Sequence, residues 1–121
     1  MSRKILAVDD SKTMRDMIAF TLRKAGFDVD EAEDGKVALT ALGGSSFDLI
    51  ITDLNMPNMD GISLIRNVRA SPKHRAVPIL ILTTESDSTK KADGKAAGAT
   101  GWLVKPFNPE KLVELVQRVC P

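Results

Sequence analysis

The chain has 121 residues, enough for one domain that buries roughly two thirds of its unfolded surface without a disulfide or structural metal. Its composition, 43% hydrophobic and 27% charged, is that of a globular protein and excludes disordered and fibrous classes. With 17 Lys and Arg against 16 Asp and Glu, the net charge of +1 provides no global field toward nucleic acid or an anionic membrane.

The single cysteine, Cys120, cannot close an internal bridge, so no oxidising compartment is implied. Apolar runs reach only about five or six residues, far below a membrane span. The basic start (Arg3, Lys4) leads into an apolar run that stops at Asp9-Asp10, too short for a signal peptide. The expectation is one cytoplasmic domain, residues 1–121, acting as a monomer.

Ile5-Leu6-Ala7-Val8 does not alternate polar with apolar residues, which predicts a parallel strand covered on both faces. Residues 12–25 follow with Met14, Met17, Ile18, Phe20, Thr21 and Leu22 at helical spacing and Gly26 as the stop. Met14, Met17 and Phe20 are expected in the core. Asp28-Val29-Asp30-Glu31-Ala32 is more polar and reads as an edge strand. Asp34 suits the cap of a helix running to Leu42 and stopped by Gly43-Gly44.

Leu49-Ile50-Ile51 predicts the third strand, and residues 61–70 a helix carrying Ile62, Leu64, Ile65 and Val68. Ile79-Leu80-Ile81-Leu82 is the fourth strand. Residues 87–97 contain no large apolar side chain. As a helix they would bury only alanines, and Gly94 costs about 1 kcal/mol relative to Ala. This is the least firmly docked helix. Trp102-Leu103-Val104 reads as the fifth strand, its unbroken apolar run again predicting cover on both faces, and Asn108-Pro109 opens a last helix with Leu112, Val113, Leu115, Val116 and Val119. Five βα units with short connections predict an α/β fold, a doubly wound parallel sheet with right-handed crossovers.

The residues that end these strands carry the chemistry. The first run ends at Asp9-Asp10, the third strand at Asp53, the fourth at Thr83-Thr84 and the fifth at Lys105. Ligands of an open parallel α/β sheet bind outside the carboxyl ends of its strands, so these side chains should converge. Two carboxylates ~6 Å apart repel by roughly 2–3 kcal/mol at an effective dielectric of ~20. Three of them invite a divalent cation, and an all-oxygen set favours Mg²⁺ or Mn²⁺ over zinc. With a metal bound, one carboxylate can attack phosphorus, and a lysine and a hydroxyl can neutralise the phosphoryl oxygens.

At these residues the sequence resembles the receiver domains of bacterial two-component response regulators, of the single-domain chemotaxis type. The resembling segments are Ile5-Leu6-Ala7-Val8-Asp9-Asp10-Ser11, Asp48 to Pro57 with Asp60-Gly61, Leu82-Thr83-Thr84-Glu85, and Gly98 to Phe107, and the likeness spans essentially the whole chain. It implies a flavodoxin-like (βα)5 fold with five strands in the order 2-1-3-4-5. It implies that Asp53 accepts a phosphoryl group, that Asp10, Asp53 and the backbone carbonyl of Asn55 ligate Mg²⁺, and that Asp9 orients metal-bound water. Lys105, before a cis proline, would contact the phosphoryl group. Thr83 would hydrogen-bond it on activation. Asn55 and Glu85 would tune hydrolysis. Trp102 stands where the chemotaxis proteins carry a tyrosine that swings inward; an indole is larger and only donates.

The implied function is a phosphorylation switch, a phosphoacceptor that assists its own phosphorylation and dephosphorylation rather than a turnover enzyme. Its partners would be a sensor histidine kinase, a downstream target such as a flagellar-motor switch component, and a phosphatase. Output is expected on the face of residues 87–97, Trp102 and the helix after Pro109. A phosphate sink or relay intermediate is the alternative. A phosphohydrolase of the haloacid-dehalogenase type would need an acid and a threonine where Asn55 and Pro57 stand. A flavin carrier would need a phosphate-cradling first loop, which Asp9-Asp10 would repel.

Overall fold

Both faces of a strand must be covered where its apolar residues run without alternation, and the chain achieves this by winding helices onto two sides of one sheet. A computed structural model describes residues 3–120. The strands are β1 (Lys4–Val8), β2 (Asp28–Ala32), β3 (Leu49–Thr52), β4 (Ile79–Thr83) and β5 (Gly101–Val104). All pairings are parallel, in the order β2-β1-β3-β4-β5. The helices are α1 (Lys12–Lys24), α2 (Gly35–Gly44), α3 (Gly61–Ala70), α4 (Ser88–Ala97) and α5 (Pro109–Val119).

Successive strand residues feed two cores. Ile5, Ala7, Leu49, Ile51, Leu80 and Leu82 meet Ile18 and Leu22 of α1 and Leu112 and Val116 of α5. Leu6, Val8, Ile50, Ile79 and Ile81 meet Ala38 and Leu42 of α2 and Leu64, Ile65 and Val68 of α3. Each such side chain contributes about 1.5–3 kcal/mol by leaving water. Every helix starts on a short polar cap: Ser11, Asp34, Asp60, Asp87 and Asn108 each accept a hydrogen bond from a first-turn N–H. Such caps are worth about 1 kcal/mol apiece.

The register matters for the site. Val8 pairs with Thr52, and Thr83 with Val104. The ladder then runs one residue further: Asp53 N–H donates to the Val8 carbonyl at 3.0 Å and Lys105 N–H to the Thr83 carbonyl at 2.8 Å. Asp9 and Asp53 therefore leave the sheet side by side, whereas Thr52 aligns through Ile81 with Trp102, so Lys105 stands two residues further along and its long side chain reaches back to the two acids.

Four local expectations are corrected. Met17 and Phe20 are 49% and 69% exposed rather than core. The helix buries Ile18, Ala19 and Leu22, and its 3.6-residue period turns residues 17 and 20 sideways. Only Met14 of the expected stripe packs against the core. Met17 and Phe20 instead line a groove of about 630 Å³ with Phe107, Pro109 and Val113. Gly43 and Gly44 lie inside the last turn of α2, which ends at Ser45. In α4, Ala92 and Ala96 face solvent and Gly94 is the buried residue. The missing side chain lets the helix backbone settle on Ile81 and Trp102. Finally, β5 is a half-exposed edge strand rather than one covered on both faces.

A Cβ at position 94 would stand 2.8 Å from Ile81 Cδ1 and 3.1 Å from Trp102 Cζ3. Gly94→Val is expected to lower the unfolding free energy by about 1–3 kcal/mol through over-packing. Gly94→Ala should stay near the wild type, because the flexible Ile81 tip can move and helix propensity gains about 1 kcal/mol. Urea unfolding of the two variants checks this.

Candidate functional site

The end of β1, the end of β3 and the residue after β5 meet in one acidic pocket. The carboxylates of Asp9, Asp10 and Asp53 place oxygens within 4.8 Å of one another. Asp9 and Asp53 are buried, while Asp10 opens to solvent. Lys105 bridges the two buried acids: its Nζ donates to Asp9 Oδ2 at 2.6 Å and to Asp53 Oδ2 at 3.0 Å. The Lys105-Pro106 peptide bond is cis.

Each carboxylate is aimed by its backbone surroundings. The second Asp9 oxygen accepts Ser11 N–H at 2.9 Å. The second Asp53 oxygen accepts Leu54 N–H at 2.7 Å. Behind Asp53, Thr52 Oγ1 donates to the Asp53 carbonyl at 2.8 Å. Gly61, the first residue of α3, packs so closely on that carbonyl that no side chain fits there. The loop from Asp53 to Gly61 carries Asn55, which is exposed, and Asn58, whose φ of 68° lies in the left-handed region. Asn58 donates to the Asp34 carboxylate at 2.8 Å and so ties this loop to the cap of α2. That bond, with Val37 N–H, holds the Asp34 carboxyl below its ordinary pKa.

Burial works to lower the Lys105 pKa. The hydrogen bonds and charges of Asp9 and Asp53 outweigh it and hold the group above the ordinary lysine value. Of the three acids, only Asp10 lacks an ion-pair partner among the described residues. Hard, all-oxygen donors at this spacing suit Mg²⁺ or Mn²⁺, so the residues present fit the cation that the sequence implied.

The remaining sequence-derived residues stand beside the pocket. Thr83 is fully buried, and its hydroxyl accepts Glu85 N–H at 3.3 Å. The Glu85 carboxylate turns to accept Asp87 N–H at 3.1 Å. The Trp102 indole lies half-buried against Gly94, its Nε1 donating to the Glu85 carbonyl at 3.2 Å. Thr83 and Trp102 thus hold the same residue of the loop after β4. Lys91 lies over the Trp102 ring, 6.0 Å from its centroid. Sequence reasoning missed Thr52, Gly61, Asn58 and Arg15, which reach the site through backbone carbonyls or through caps. No residue-type pattern marks such contacts. Cys120 is buried, and burial raises its thiol pKa, in keeping with an inert residue.

A raised lysine pKa sets the sign of the pH dependence. The stabilisation is complete below the unfolded value of about 10.4 and fades as pH rises through the folded value. Lys105→Ala leaves two buried carboxylates unpaired. It is expected to lower stability by about 2–4 kcal/mol at pH 7 in metal-free buffer, less than for a fully interior pair because the pocket opens at Asp10. Millimolar Mg²⁺ should restore part of the loss, as thermal unfolding with and without chelator would show.

Comparison with known proteins gives this geometry a family. Residues 5–117 match the family described as the response regulator receiver domain. Chemotaxis protein CheY of Pseudomonas aeruginosa is 42% identical over 117 residues, 96% of this chain and 94% of that one. CheY-3 of Vibrio cholerae is 40% identical, covering 96% of this chain and 90% of that one. The solved structure of chemotaxis protein CheY4 of Vibrio cholerae superposes with a TM-score of 0.94 at 50% identity, over 98% and 99% of the two chains. The receiver domain of a Pseudomonas aeruginosa sensor histidine kinase, described with a magnesium ion coordinated in its active-site cleft, gives 0.92 at 31% identity, over 99% and 98%. With its strand order, its acid cluster and its bridging lysine, the chain belongs to the response regulator receiver domains and is CheY-like within them.

Proposed function

We propose that this receiver is a phosphorylation-driven switch of the chemotaxis kind, with Asp53 as the phosphoacceptor and a sensor histidine kinase as donor. The observation that carries the reading is the Asp53 carboxylate, held beside Lys105 and two further acids at the carboxyl edge of the sheet. An Asp53 oxygen attacks the phosphorus of a phosphohistidine, the P–N bond breaks, and the imidazole leaves and takes up a proton. Asp10, Asp53 and the Asn55 carbonyl would hold Mg²⁺, with Asp9 orienting a water. That cation would neutralise charge on the transferring phosphoryl oxygens. The magnesium described in the kinase-borne receiver supports this assignment.

Lys105 already bonds Asp53 and needs little movement to meet a phosphoryl oxygen. Thr83 moves to donate a hydrogen bond from its hydroxyl to that group, and the movement draws its oxygen away from Glu85 N–H, which loosens the residue that also anchors Trp102. The α4–β5–α5 face then changes and binds a target. Its exposed Lys90, Lys91 and Lys95 suit an acidic partner such as a motor-switch component. Moving from 1% to 99% active needs about 5.5 kcal/mol. One charge-assisted hydrogen bond supplies about 1.5–3 kcal/mol, so Lys105 and the bound target share the work. Asn55 and Glu85 would flank the attacking water and keep the acyl phosphate short-lived. The cytoplasm is the proposed location; no helix among the described residues is long and apolar enough to cross a membrane.

Acetyl phosphate with Mg²⁺ is expected to add one acid-stable, base-labile phosphate, and Asp53→Asn to abolish it. Labelling of that variant at Asp9 or Asp10 would overturn the assignment. Beryllofluoride should alter hydrogen exchange across residues 84–104. Changes confined to the Asp53 loop would favour a phosphate sink or relay over a switch through this face.

A further inference from the structure

The Asp10 carboxylate is exposed and, among the described residues, accepts no hydrogen bond, so only its backbone aims it. That backbone is held on both sides. Asp9 N–H donates to the Ala32 carbonyl of β2 at 3.1 Å. Ser11 N–H donates to the Asp9 carboxylate, and the Ser11 hydroxyl caps α1. Between them, the Asp9 carbonyl accepts Arg15 Nη1 at 2.6 Å. This carbonyl belongs to the planar peptide unit that ends at the Asp10 Cα. Fixing its direction with a charge-assisted bond fixes the direction in which the Asp10 side chain leaves the chain.

A guanidinium bonded to the Asp9 carbonyl, beside the acidic pocket, would by itself oppose a divalent cation. Its charge is balanced from behind: Arg15 Nε lies 3.6 Å from Glu31 Oε1, with side chains 14% and 29% exposed. The other Glu31 oxygen lies 3.7 Å from Arg23 Nη2, which also donates to the Val29 carbonyl at 2.7 Å. Glu31 is thereby kept on β2 facing the guanidinium. We infer that Arg15 is a positioning residue that aims the Asp10 carboxylate at a divalent cation through the Asp9–Asp10 peptide, with Glu31 as its counter-charge. The inference rests on the proposed role of the acidic pocket.

The two roles a cation can play here have opposite signs. Were Arg15 only a nearby positive charge, removing it would tighten metal binding. As a positioning residue its loss weakens binding. Titration of the full chain with MgCl₂ by calorimetry is expected to show Arg15→Gln weakening Mg²⁺ about tenfold, the scale of outer ligand contacts. On an Asp10→Asn background, the same change should have no further effect, because the group it aims is gone. General structural damage would persist there. Glu31→Gln keeps the Arg15–Asp9 bond and is expected to weaken Mg²⁺ about two- to threefold, by leaving a charge unbalanced. That loss should vanish at about 0.5 M salt, while the Arg15→Gln loss remains, and this variant also tests the counter-charge if Arg15→Gln does not fold. Unchanged or tighter binding by Arg15→Gln, with Asp10→Asn still weakening it, would overturn the inference and leave the pocket standing. No effect of Asp10→Asn would overturn the reading of the pocket itself.

Discussion

Three carboxylates gathered at one edge of a sheet repel one another, and the Lys105 ammonium makes their assembly tolerable. It bridges Asp9 and Asp53, two acids carried by adjacent strands, and is itself buried beside them. The bridge requires β1 and β3 to end side by side, which their parallel register ensures, and β5 to run two residues further, from where the long lysine side chain reaches back to both acids. Lys105 leaves Asp10 as the acid without an ion-pair partner. The pocket is therefore compensated on its inner side and open on its outer side, where a hydrated cation can enter.

The same edge is mechanically linked to the surface that would report on it. Glu85 accepts the Trp102 indole on its carbonyl and donates its N–H to Thr83. Thr83 is buried at the end of β4, and Trp102 supports α4 beneath Gly94. A helix that buries only a glycine has little apolar area resisting displacement, so little opposes a change in its position. At the other end of the helix, Arg69 donates to the carbonyl of the cap residue Gly98 at 3.1 and 2.8 Å and to the Val77 carbonyl at 2.6 Å. The C-terminal end of α4 is thus tied to α3, while its N-terminal end depends on the loop that carries Glu85.

Much of this was legible in the linear chain. The unbroken apolar runs, the short polar caps and the helical spacings are local signals, and each encodes an element because it reflects burial on a fixed period. The acids, threonine and lysine were legible for the same reason: each directly follows or ends a strand whose limits the apolar run marks. The sequence by itself therefore determined five βα units and the edge at which their polar ends gather.

What only the tertiary structure decided are relations between elements. Met17 and Phe20 share the spacing of Ile18 and Leu22, but the angle at which α1 meets the sheet turns them outward beside α5. Gly94 looked like a weak point in a helix and is its docking surface, because close approach to Ile81 and Trp102 leaves no room for a large side chain. Trp102 sits on an edge strand, half-covered, since among the described residues no sixth strand pairs with β5. Arg15 carried no signal, because it acts on a backbone carbonyl six residues away in sequence, a contact made only once α1 folds back over β1. Periodicity states which residues share a face; it does not state what that face meets.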